Sequence, residues 1–226
     1  MAKQSSKTKL KQVGKPKPLA DQVYDLLLNL NTSPRMPPGS RLSVDALVRE
    51  LNVSQTPIRQ ALVRLQTQGL VERELNVGYS TPSLPDASEL NDIFAFRLMI
   101  EPQAAGLAAE KTNAPHADAL EKLAQDMEAI SADSSLGNYG RFAAKDNTFH
   151  ELILTQAGNR VALDAIQRLN VHNHLFRLYF HRSVTDDANH EHRAILEAIK
   201  SGVGQSASDA MRRHIEASYK RLEPHF

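Results

Sequence analysis

Residues 43–69, SVDALVRELNVSQTPIRQALVRLQTQG, decide how the first third of the chain folds. Two apolar runs with helical spacing meet here with almost nothing between them. Leu47 and Leu51 lie four apart on one face, behind Ser43, which is placed to cap a helix. Asn52 then ends that helix, because Asn is among the few residues that readily take the left-handed conformation. Ser54 is placed to cap the next helix at once. Pro57 falls in its first turn, where the missing N–H has no intrahelical partner to lose. Ile58, Leu62 and Leu65 recur at helical spacing, and Gly69 stops the run.

Working outward, LADQVYDLLLNL (19–30) spaces Val23, Leu26, Leu27 and Leu30 as a short helix, and the three prolines and glycine of PRMPPGSRL (34–42) force a loop after it. On the other side, LVERELNVGYSTP (70–82) predicts a two-stranded ribbon turning near Asn76 to Gly78. The layout is a winged helix-turn-helix over residues 19–81. Its third helix offers small or hydrogen-bonding side chains at its N-terminal end, where backbone N–H groups also favour phosphate. Expected DNA contacts are Ser54, Gln55, Thr56, Pro57, Arg59, Gln60 and Arg64, with Gly78 in the wing.

Beyond this unit the pattern is helical throughout. STPSLPDAS (80–88) carries two prolines and little apolar content, as an interdomain linker does, so residues 82–88 are read as linker and 89–226 as a second domain. Helices are expected over 87–111, 115–132, 138–157, 159–182, 185–201 and 205–222, with no β-like alternation. The fold class is mainly α: a winged helix-turn-helix followed by an all-helical bundle.

Formal charge is close to balanced, with 27 basic and 26 acidic residues, but residues 1–18 hold six Lys and no acid. A basic arm, expected to be disordered when free, leads an acidic body. The chain has no cysteine, so a metal here would need His and oxygen ligands. No apolar run is long enough to span a bilayer and the N-terminus has no secretory core, which points to a cytoplasmic protein.

Asp146 and His150 in DNTFH share a helix face. Alone, such a pair reads as a surface hydrogen bond. His192, beside Ala194, Ile195 and Ile199, and His214, between Met211 and Ile215, lie in amphipathic helices, where a polar residue near the apolar face needs a partner. Three imidazoles and a carboxylate are a ligand set for Zn²⁺ first, with Ni²⁺ or Mn²⁺ as alternatives. His190 is the competitor for His192. His172, His174 and His181 read as structural or pocket-lining, and His116 and His225 as solvated. Glu151, directly after His150, points about 100° away and is poorly placed as a general base. The chain has no HExxH, nucleophile elbow or phosphate loop.

Pro37, Pro38 and Gly39, Leu42 and Ser43, then Val53, Ser54, Thr56, Pro57, Arg59, Ala61 and Leu62, and finally Gly69, Leu70 and Val71 together resemble the DNA-binding domain of GntR-type bacterial regulators. Two departures stand out: Gln55 replaces a frequent Arg, and Val44 with Asp45 replaces an acidic-basic pair. FRLMIEPQAAGLAAE (96–110), KDNTFHELILTQAGN (145–159), EHRAILEAI (191–199) and AMRRHIEAS (210–218) resemble the helical FCD domain of the FadR subgroup. That resemblance implies a metal set of Asp146, His150, His192 and His214, and an Arg97 facing the ligand cavity. Arg97 would suit a bidentate carboxylate, while an i,i+4 ion pair with Glu101 is the other reading. The expectation is a non-enzymatic, ligand-responsive repressor. It would bind a DNA operator as a homodimer and sense a small carboxylate effector. A mononuclear metalloenzyme with a fused DNA-binding-like domain is the alternative, and a metal-free regulator with a large acyl ligand is a third reading.

Overall fold

A computed structural model of the chain describes residues 17–31, 36–75, 77–133, 138–169 and 182–225. The basic arm therefore lies outside the described residues apart from Lys17 and Pro18, as do His172, His174 and His181. No described helix is long and apolar enough to cross a membrane.

The N-terminal unit contains α1 (Leu19–Asn31), β1 (Arg41–Leu42), α2 (Val44–Leu51), α3 (Gln55–Thr67), β2 (Glu72–Glu74) and β3 (Gly78–Ser80). Local chemistry sets the boundaries of α2 and α3. Ser43 Oγ accepts the Ala46 N–H at 3.3 Å, and Asn52 sits at φ 50, ψ 44, so the chain turns into α3 within three residues. Ser54 occupies the N-cap position of α3 without a side-chain cap hydrogen bond. At the far end Gly69 takes φ 66. The Leu70 N–H reaches Leu65 O at 2.9 Å and the Gly69 N–H reaches Gln66 O at 3.0 Å, the paired bonds of a Schellman stop. Leu65 and Leu70 both join the buried core of this unit, with Val23, Leu27, Leu47, Ile58 and Leu62.

The wing differs from the expected ribbon by one strand. Besides the β2–β3 pairing, β1 pairs antiparallel with β3, giving a three-stranded sheet of order β1-β3-β2. Thr81 anchors the PPG loop to this sheet: its Oγ1 donates to Pro37 O at 3.0 Å and accepts the Ser40 N–H at 2.9 Å.

The helical body begins at α4 (Ala87–Glu110), where Asp86 Oδ1 caps the Glu89 N–H at 2.8 Å. It continues with α5 (Ala114–Ala132), α6 (Asn138–Ala157), α7 (Arg160–Leu169), α8 (Arg182–Lys200) and α9 (Gly204–Leu222), closed by a single 3₁₀ turn. The expected 159–182 helix is described only as far as Leu169. Helix α9 packs against α4 and α8, α6 against α4 and α5, and α5 against α8. At the α4–α9 crossing a Cβ on Gly106 would stand 3.1 Å from Gly204 O, so glycine permits the close approach that brings the helix of His214 onto the helix of Arg97. Phe94, Met127, Phe149, Ile195, Leu196 and Ile215 fill the core between these helices.

Candidate metal centre

Helix α6 presents Asp146 and His150 one turn apart, α8 contributes His192 and α9 contributes His214. All four are buried, His192 completely. His190, its competitor in sequence, is exposed. One ring nitrogen from each of His150, His192 and His214 lies within 4.8 Å of the other two. The ring centroids of His192 and His214 are 4.7 Å apart, and those of His150 and His214 are 5.2 Å apart. Asp146 Oδ1 stands 3.0 Å from His192 Nε2, beside the imidazole trio.

The donor chemistry fits a cation. Neither nitrogen of the buried His192 ring makes an aligned hydrogen bond, even though Asp146 is at contact distance. Buried polar atoms left in that condition are costly, and nitrogen and oxygen donors from three helices are the set that borderline divalent ions take. The trio could hold a metal ion.

Burial pushes the His214 imidazole down to about 3 against the opposing hydrogen bond to Glu191, and the neighbouring His192, His150 and Arg97 push it the same way as burial. His214 is therefore a neutral imidazole at neutral pH, as ligation requires. Burial opposes ionisation of Glu191, but hydrogen bonds from Arg221 and His214 outweigh it and hold the carboxyl at about 2. Glu191 is thus the acceptor and His214 Nδ1 the donor of their 2.8 Å hydrogen bond.

Arg97 is 1 % exposed, and its Nε donates to Glu101 Oε1 at 2.6 Å. The i,i+4 pair exists, but in the interior, so the small energy of an exposed helix pair does not apply to it. Arg97 Nη2 is buried without a hydrogen-bond partner. Glu101 Oε2 lies 2.7 Å from His150 Nδ1. Helix α8 is fixed from its other side by Arg193, which donates to both Glu128 oxygens and to Glu121 on α5.

From the sequence Glu101 reads only as an ion-pair partner of Arg97, and Glu191 is not singled out. The first had a signal in its spacing from Arg97, but Glu191 meets His214 and Arg221 only through the packing of α8 on α9. Glu151 takes a hydrogen bond from Asn147 at 2.8 Å and lines a cleft facing α1 and α3.

In the N-terminal unit, Ser54, Gln55, Thr56, Arg59 and Gln60 are exposed, with Gly78 half-buried. Pro57 is buried, so it packs beneath α3. Arg64 turns toward α1: Nη1 is 3.2 Å from Asp21 Oδ1, and the guanidinium lies 3.9 Å from the centroid of the Tyr24 ring. The two sequence departures meet, because Gln55 Nε2 donates to Asp45 Oδ1 at 3.0 Å.

Residues 19–80 match the family of bacterial regulatory proteins called gntR, and residues 92–217 match the FCD domain. Among curated relatives, a probable D-xylose utilization operon transcriptional repressor of Paenarthrobacter nicotinovorans is 29% identical over 88% of this chain and 86% of its own length. The transcriptional repressor RspR of Escherichia coli is 25% identical over 91% and 89%. Of solved structures, E. coli McbR/YncC shares the fold with a TM-score of 0.66 at 18% identity, covering 93% of this chain and 99% of that one. Streptococcus agalactiae GntR gives a TM-score of 0.51 at 25% identity over 89% and 99%. The two curated relatives are named as transcriptional repressors. With its helix-turn-helix unit matching one family domain and more than half its length matching the other, the chain belongs to the GntR family of bacterial transcriptional regulators, in the branch that carries an FCD domain.

Proposed function

We propose that this regulator is a metal-dependent, effector-responsive repressor that binds a pseudo-palindromic operator as a homodimer. The observation that carries the metal reading is the convergence of three buried imidazoles, with Asp146 beside them, inside the FCD domain. Asp146, His150, His192 and His214 would hold the ion, Zn²⁺ first and Ni²⁺ or Mn²⁺ as alternatives. When bound, the ion supplies a Lewis-acidic position for an effector oxygen. The effector would be a small organic acid, whose carboxylate could also engage the unpartnered Nη2 of Arg97. Repression, rather than activation, is the sense in which two of the curated relatives are named.

Gln55, Thr56, Arg59, Gln60 and Ser54 would face DNA, with Gly78 in the wing. Pro57 would support the helix from below, and Arg64 would hold α3 on α1. The twofold operator follows from the need of one small recognition helix to double its contacts. Helix α6 is the physical link between the two units. It carries Asp146 and His150, its Ala144 packs on the N-terminal core, and its Arg141, Lys145, Asn147 and Thr148 line a cleft of about 600 Å³ against α1 and α3. An effector that binds two domain arrangements with different affinity would shift their populations through this helix.

Footprinting on the DNA upstream of the chain's own gene tests the regulator's target, and protection that never saturates in moderate salt would sink the operator reading. A thermal-shift screen of small carboxylic acids, with and without chelator, tests the sensing reading. Stabilisation should appear with metal and vanish with chelator; chelator-independent hits would contradict it.

A further inference from the structure

Two carboxylates outside the proposed ligand set reach the same centre, and each is held by an arginine. On α8, Glu191 lies 2.8 Å from His214 Nδ1, while Arg221 donates Nη1 to Oε1 at 2.6 Å and Nη2 to Oε2 at 2.9 Å. On α4, Glu101 Oε2 lies 2.7 Å from His150 Nδ1, while Oε1 accepts Arg97 Nε at 2.6 Å. The same order, arginine to glutamate to imidazole Nδ1, recurs from four different helices, as an aligned hydrogen bond at His214 and as a 2.7 Å contact without hydrogen-bond alignment at His150. His192 differs: its nearest carboxylate is Asp146, at its Nε2.

An imidazole donates a lone pair to a metal from one nitrogen while the other keeps its proton, and the partner of that second nitrogen decides which is which. A carboxylate already receiving arginine N–H groups can only accept from Nδ1. It therefore keeps the proton on Nδ1 and leaves Nε2 as the donor atom. At Glu191 the arginine holds both oxygens, which keeps that carboxylate from swinging in to become a ligand itself.

We infer that Glu101 and Glu191 are positioning residues of the centre, each locked by its arginine so that His150 and His214 present Nε2, while His192 and Asp146 retain freedom to adjust. The inference rests on the metal reading above and adds a regulatory link to it. Arg97 is the outer member of the Glu101 relay, so an effector carboxylate that engages Arg97 alters the support of His150. By reciprocity, metal affinity and effector affinity are then coupled.

The test is competition for Zn²⁺ between a chromogenic chelator and untagged protein: wild type, Glu191→Gln, Glu101→Gln, and Glu128→Gln as a control that touches Arg193 and none of the three histidines of the cluster. Both relay variants keep all four ligands, yet affinity for Zn²⁺ should fall about 10- to 100-fold in Glu191→Gln and by a smaller factor in Glu101→Gln, whose contact with His150 is not aligned, while the control stays at the wild-type value. Circular dichroism of the metal-free forms establishes that each is folded. The visible bands of Co²⁺-loaded Glu191→Gln should also shift, a signature that lower stability alone does not produce. Affinities of folded relay variants within twofold of wild type, or unshifted Co²⁺ bands, would overturn the inference. Wild type that binds no Zn²⁺ would instead remove the metal reading beneath it. Glu191 is partly exposed, so its variant decides the question even where Glu101→Gln does not fold.

Discussion

Lowering the pH of the metal-free protein from about 7.5 to about 5 should destabilise the helical domain through one identifiable side chain. His214 has a folded-state pKa of about 3 against an ordinary value of 6.5, because it is buried. In the unfolded chain its imidazole takes up a proton as the pH falls through 6.5, while in the folded chain it stays neutral until about 3. The unfolded state binds more protons across this window, so stability falls as the pH is lowered through it. Integrating that difference down to pH 5 gives a loss of about 2 kcal/mol for this residue. Glu191 also favours the folded state, but its window runs downward from 4.5 to about 2, so at pH 5 its contribution is largely intact. Urea unfolding of chelator-treated wild type and His214→Gln, followed by circular dichroism at both pH values, isolates the effect. Wild type should lose about 2 kcal/mol more than the variant over this interval. Equal losses would refute the assignment of a neutral, buried His214.

Three further outcomes follow from named contacts. Ser43→Ala removes the acceptor for the Ala46 N–H and should cost about 1 kcal/mol of stability in the N-terminal unit, measured by thermal unfolding. Phe149→Ala empties a fully buried ring position packed 4.9 Å from the His192 ring and should cost about 3–5 kcal/mol, read by urea unfolding of the metal-free protein. Arg59→Ala should weaken operator binding in a mobility-shift titration far more than Arg64→Ala does, because Arg64 is committed to Asp21 and Tyr24; equal weakening would place Arg64 on the DNA face.

What could be read from the sequence was written in local chemistry. The α2–turn–α3 unit follows from a Ser cap, an Asn that tolerates φ 50, a Pro in a first turn and a Gly stop, all of which act within a few residues. Strand β1 was missed because it is two residues long and its partners, Ser80 for Arg41 and Tyr79 for Leu42, lie 39 and 37 positions further on, so nothing in its own neighbourhood marks it. The i,i+4 spacing put Asp146 and His150 on one face, and the apolar residues around His192 and His214 anticipated their burial. Helical spacing also showed that Arg97 could reach Glu101, but not that the pair is sealed inside, since that depends on α9 closing over α4. The association of Glu191 with His214 and Arg221 spans 23 and 30 residues. It arises only when α8 and α9 dock, and the burial that depresses the His214 pKa arises in the same packing.

The central question is whether the imidazole cluster is a metal centre. Elemental analysis of protein purified without a histidine tag tests this directly, with wild type compared against a His192→Ala, His214→Ala double variant. Wild type should carry close to one divalent transition-metal ion per chain, and the double variant should carry none while its N-terminal unit stays folded. Metal absent from wild type even after incubation with Zn²⁺, or retained unchanged by the double variant, would contradict the account.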